Sequence, residues 1–156
     1  MGSEMCIRDS ISFDSVYNQL IEKYPHVLER LYQPFHFDRQ REHGDNEELV
    51  SFAPVFEYDN DTLQVRLATN LIRQGYVVAN KEIDKAGVEA LEALDDVMES
   101  TGLGKTFDFE PGQIQILNNR RLGHRRTAFT DSPDTAEKRH LVRIWLRDHG
   151  RRFYAG

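Results

Sequence analysis

Apolar residues recur at three- and four-residue spacing early in the chain. Val16, Tyr17, Leu20, Ile21 and Tyr24 share one face of a helix expected over residues 14–24, with Asp14 as its N-cap. Pro25 ends that helix and opens a second over 26–32, where Val27, Leu28 and Leu31 are apolar. Residues 38–48 are polar and aperiodic and read as a surface loop. Two strands are expected over 54–58 and 62–68, joined as a hairpin by Asp59-Asn60-Asp61. The strongest helical pattern spans 81–101: Val88, Leu91, Leu94, Val97 and Met98 form its stripe, and Gly102 stops it. Strands at 106–109 and 113–118 flank a Pro111-Gly112 turn. From 139 to 146 the pattern alternates: Arg139, Leu141, Arg143 and Trp145 face one way, and His140, Val142, Ile144 and Leu146 the other. Late strands after earlier helices predict a mainly β domain with helical insertions, an α+β barrel or sandwich. There is no internal repeat.

Composition narrows the class. With 156 residues, 39% hydrophobic and 29% charged, the chain holds about one ordinary domain. No apolar run approaches the roughly 18 residues of a membrane span, and no secretory h-region opens the chain. Cys6 stands alone, so an intrachain disulfide is impossible and a cytoplasmic setting is expected. The net charge of -6 is unevenly spread. Residues 11–112 carry 9 Lys/Arg against 20 Asp/Glu, whereas 113–156 carry 10 against 4. A basic tail of this kind meets an anion: nucleic acid, a small carboxylate, or the acidic part of the same chain.

Residues 111–147 carry the chemistry. A histidine, His124, follows a strand and a small polar turn, and Arg139 and Arg143 lie at i and i+4 on a later strand, so they share a face. Two guanidinium groups turned into a barrel need anionic partners, and a dicarboxylate suits them. A nearby imidazole could hold a metal that the same ligand chelates. The order Pro-Gly turn, Asn118-Asn119, His124, Arg126-Thr127-Ala128-Phe129, then Arg139-His140-Leu141-x-Arg143-x-Trp145-Leu146 resembles the C-terminal signature of the taurine dioxygenase (TauD/TfdA) family. Tyr17-Asn18, Tyr24-Pro25, Pro34-Phe35 and Asp38-Arg39 are also similar to family patterns.

That resemblance implies a clavaminate-synthase-like double-stranded β-helix (jelly roll), here truncated. It implies an Fe(II)- and 2-oxoglutarate-dependent dioxygenase that hydroxylates a small molecule with O₂. By the same resemblance His124 is the distal histidine of a two-His-one-carboxylate iron triad, and Arg139 and Arg143 bind 2-oxoglutarate. Which of the two arginines takes the distal carboxylate stays open. Asn118 and Arg126 sit where ligand-supporting or substrate contacts could be made. Arg120, Arg121, Arg125 and Arg126 also read as a solvated basic face, and Phe129 and Trp145 as core.

His36-Phe37-Asp38 spells the other two iron ligands, but it lies only 88 residues before His124 and after the helical segment, so it is not expected to be the iron site. Residues 1–10 (MGSEMCIRDS) resemble a translated sequencing adapter and are expected to be foreign to the fold. Residues 11–156 are then the C-terminal portion of one oxygenase domain. Its His-x-Asp ligands are expected upstream of Ile11, and the chain alone is expected to be inactive. The alternative is a non-catalytic β-barrel, or an anion- or nucleic-acid-binding module using the basic C-terminal segment. Absent aromatic-interleaved basic runs argue against nucleic acid, and no membrane partner is expected.

Overall fold

A computed structural model describes residues 7–100, 102–108, 110, 112–126, 134, 142, 144 and 146. In chain order the elements are strand β1 (Ile7–Ser12), helix α1 (Phe13–Lys23), a 3-10 turn (Pro25–Val27) and helix α2 (Leu28–Leu31). Strands β2 (Phe35–Asp38), β3 (Val50–Ala53), β4 (Phe56–Asp59) and β5 (Thr62–Val65) follow. Helices α3 (Thr69–Val78) and α4 (Lys85–Glu99) and strands β6 (Gly104–Asp108) and β7 (Leu122–Arg126) complete the described part. The strands make three small antiparallel sheets: β6-β1-β7, β2-β3 and β4-β5. The fold is thus α+β, and the described residues do not close a barrel.

The helical core forms as its spacing predicts. Val16 and Leu20 of α1, Leu31 of α2, and Leu91, Leu94 and Val97 of α4 are almost fully buried in one cluster with Phe35, Phe37, Phe56, Val65 and Ile72. Helix boundaries differ from the expectation. The α1 cap is Ser12, whose hydroxyl accepts from the Ser15 N–H at 3.4 Å, not Asp14. Asp14 lies in the first turn, where a carboxylate still favours the helix dipole. Helix α4 begins at Lys85 rather than 81, because the Asp84 carboxylate accepts from the Gly87 N–H at 2.8 Å and fixes the start there.

The 59–62 hairpin forms through a two-residue turn. Asn60 and Asp61 both have positive φ, 46° and 62°, which matches the right-handed twist of the paired strands. Its strands are shorter than expected, since β5 ends at Val65 and Ala68 already caps α3. Residues 113–118, expected as a strand, are irregular, with Ile114 86% and Ile116 83% exposed. Residues 7–10, expected to stand outside the fold, supply most of the central strand β1. A β ladder bonds through the backbone and accepts almost any side chain, so this pairing does not make those residues native.

Helix α3 was not legible as a helix, yet it packs tightly on β2. A Cβ on Gly75 would meet the backbone carbonyl of His36 and lie 2.7 Å from the Asp38 nitrogen. Backbone cannot give way as a side-chain tip can. Gly75→Ala is therefore expected to cost about 2 kcal/mol despite its better helix propensity. Equilibrium urea unfolding measures it, and an unchanged midpoint would contradict this packing.

Candidate functional site

Strand β7 carries His124 in the sheet at its junction with the helices. Ser10 stands opposite His124 across the β1–β7 ladder, and Gly123 stands opposite Ile11. Glycine at 123 has a local cause: a Cβ there would lie 2.8 Å from the Phe13 ring and 2.9 Å from an Ile11 methyl. These side chains lie over β7, and the half-buried His124 lines a cavity of about 600 Å³ beside them.

The opposite wall comes from the start of α3 and the end of α4. Thr69 and Asp95 line it together. The Thr69 hydroxyl donates to Asp95 Oδ1 at 2.7 Å, and Arg73 donates to Asp95 Oδ2 at 2.6 Å. Thr69 is the one buried polar residue of the described core, and this bond satisfies it. Sequence reasoning missed this pair, although a signal existed. Asp95 stands four residues after Leu91 and three before Met98, which puts a carboxylate on an apolar helix stripe.

The other sequence-derived candidates fare differently. Asn118 is exposed and shapes the turn into β7: its side-chain oxygen accepts from the Arg120 N–H at 2.9 Å, and its carbonyl accepts from Arg121 and Leu122. It does not line the His124 cavity. Arg126 ends β7, opposite Arg8. Arg139 and Arg143, with Phe129 and Trp145, lie outside the described residues. Arg121 pairs with Asp14 at 2.9 Å, so part of the basic tail is neutralised by the acidic part of the same chain.

The His36-Phe37-Asp38 triplet sits on β2. The His36 ring packs edge-on to Tyr76, with centroids 5.0 Å apart, and lies 4.8 Å from Phe52. Its Nε2 is 3.2 Å from the Lys81 ammonium, and its Nδ1 is buried with no partner among the described residues. Asp38 accepts from the Gln40 N–H at 2.9 Å. An ammonium at the coordinating nitrogen is a poor start for a cation site. Among the described residues no group of three His, Cys, Asp or Glu could hold a metal, here or at His124. The described donors therefore do not make up a two-His-one-carboxylate iron centre.

Burial, and then the Lys81 ammonium, push the His36 pKa below its ordinary value of 6.5. The folded chain thus resists protonating a group that the unfolded chain protonates readily. The contribution is complete above the unfolded value and is lost as pH falls from there through the lowered folded value. Stability should fall between about pH 7 and pH 5 more steeply in the parent than in His36→Phe. Urea midpoints across that range test it, and identical slopes would exclude His36 as the source.

Residues 11–145 match the family described as taurine catabolism dioxygenase TauD, TfdA family. Two relatives agree. FR-33289 synthase of Streptomyces rubellomurinus is 28% identical over 142 residues, which cover 88% of this chain and 42% of that protein. Taurine hydroxylase-like protein SAT17 of Stachybotrys chartarum is 29% identical over 141 residues, covering 88% and 35%. The chain thus spans less than half the length of either relative. No helix among the described residues is long and apolar enough to cross a membrane. With 135 of its 156 residues inside one family match that takes in His124, Arg139 and Arg143, the chain belongs to the TauD/TfdA family of dioxygenases.

Proposed function

We propose that this chain is the C-terminal portion of a non-haem Fe(II)- and 2-oxoglutarate-dependent oxygenase of jelly-roll fold, acting on a small molecule with O₂. In this reading His124 is one of three protein ligands to iron, and Arg139 and Arg143 anchor the two ends of 2-oxoglutarate. Asn118 shapes the turn before the ligand strand, and Arg126 is held as a weaker candidate for substrate contact. The observation that carries the reading is the family match over residues 11–145. A half-buried imidazole on the wall of a cavity of ligand size supports it.

The missing donors are part of the proposal. One imidazole does not hold Fe(II) firmly, and no group of three donors forms among the described residues; in this reading the second histidine and the carboxylate are supplied from upstream of Ile11. Residues 1–10 are read as foreign to the domain. The buried Ser10 hydroxyl, unpartnered among the described residues, supports this, because an unmet buried hydroxyl costs about 1–3 kcal/mol.

The test is succinate formation from 2-oxoglutarate with Fe(II) and ascorbate, across a panel of amines and amino acids. The chain alone should give none. The product of an intact gene that supplies an upstream His-x-Asp should turn over. Robust turnover by the chain alone that disappears in His36→Ala would overturn both the ligand assignment and the need for outside residues.

A further inference from the structure

We propose that the cavity beside His124 takes a small organic molecule with an aliphatic body and an ammonium group, and that Glu99 selects for the ammonium. The proposal rests on the oxygenase reading only for calling that molecule the substrate; the binding itself does not depend on it. At about 600 Å³ the cavity is the size of a small-ligand site. Phe13, Leu67 and Met98 give it an apolar wall suited to a hydrocarbon body.

The sign of the site comes from its other wall. Among the described lining residues the ionisable groups besides His124 are Asp95 and Glu99, with no Lys or Arg. Two cations bind lining residues without lining the cavity themselves: Arg73 holds Asp95, and Lys23 reaches the Ser100 hydroxyl at 3.4 Å. Asp95 is thereby fixed and partly neutralised. Glu99 is exposed and is the last residue of α4, where the helix dipole is already negative and a cation would be preferred. The last turn of α4 has no basic residue to offset it. A cationic ligand group beside the apolar wall relieves this concentration of negative charge, and a dianion worsens it. The 2-oxoglutarate of the oxygenase reading therefore belongs elsewhere around His124, which leaves this wall to a different molecule.

The experiment titrates the 156-residue chain with hexylammonium, hexanoate and hexanol and follows the imidazole proton signals of His124, assigned with His124→Gln. Hexylammonium should shift those signals saturably and bind more tightly than the other two. Glu99→Gln, an exposed change that should leave the melting curve intact, should weaken hexylammonium by roughly threefold and leave hexanol unaffected. An unshifted His124, hexanoate binding as tightly as hexylammonium, or an equal loss for both probes in Glu99→Gln would each overturn the proposal. Hexylammonium binding by the chain, with no succinate formed by the protein completed with its upstream His-x-Asp, would instead sink the oxygenase reading and leave this site standing.

Discussion

His124→Ala, made in the protein completed by its upstream ligands, is expected to lower 2-oxoglutarate-dependent succinate formation by more than about a hundredfold. Loss of a supporting group behind a metal ligand already costs about 10–100-fold, and loss of the ligand itself costs more. The change should spare the fold. His124 sits on a strand held by backbone bonds to β1, and its ring is half-buried at a cavity wall rather than packed in the core. Thermal unfolding of the variant should stay close to the parent while Fe(II) affinity collapses. The matched control is His36→Phe, which removes the other candidate imidazole and keeps its ring packing against Tyr76 and Phe52. Activity lost in His36→Phe and kept in His124→Ala would reverse the assignment of the two histidines.

The helical half of the fold was legible because burial and period coincide there. Leu91, Leu94 and Val97 are buried where a 3.6-residue repeat places them, and the hairpin turned where Asn60 and Asp61 permit positive φ. The missed elements have physical reasons. Helix α3 hides its pattern because Gly75 and the β-branched Val77 and Val78 are poor helix formers, and its stability comes from contact with β2. Strand β2 has four residues, too few to show alternation beyond Phe35 and Phe37. At the site, His124 was marked by its sequence neighbours. The cavity around it was not, because Phe13, Thr69 and Asp95 come from distant segments and meet only in the folded chain. Exposed Ile114 and Ile116 show the converse: their alternation promised a strand, but pairing needs a neighbour that the local pattern cannot specify.

Phe35→Ala should be the most damaging single change to stability, at about 4 kcal/mol. The ring is fully buried and sits where three elements meet. The Arg30 guanidinium of α2 lies 3.8 Å from its centroid, and its Cε1 would lie 3.3 Å from a Cβ at Gly87 on α4. Arg30 in turn donates to both carboxylate oxygens of Asp84, at 3.0 Å and 2.8 Å to Oδ2 and 3.2 Å to Oδ1, and Asp84 caps α4. These bonds hold the Asp84 carboxyl below its usual range. Removing the ring therefore opens a core cavity and also takes away the surface on which this arginine lies flat. Set against a total stability of about 5–15 kcal/mol for a domain, that loss leaves much of the chain unfolded under mild denaturant. Phe35→Leu, which keeps most of the volume, should cost under about 1.5 kcal/mol. Urea titrations followed by far-UV circular dichroism separate the two, and a Phe35→Ala midpoint as high as that of Phe35→Leu would mean that β2 does not pack under α2 and α4.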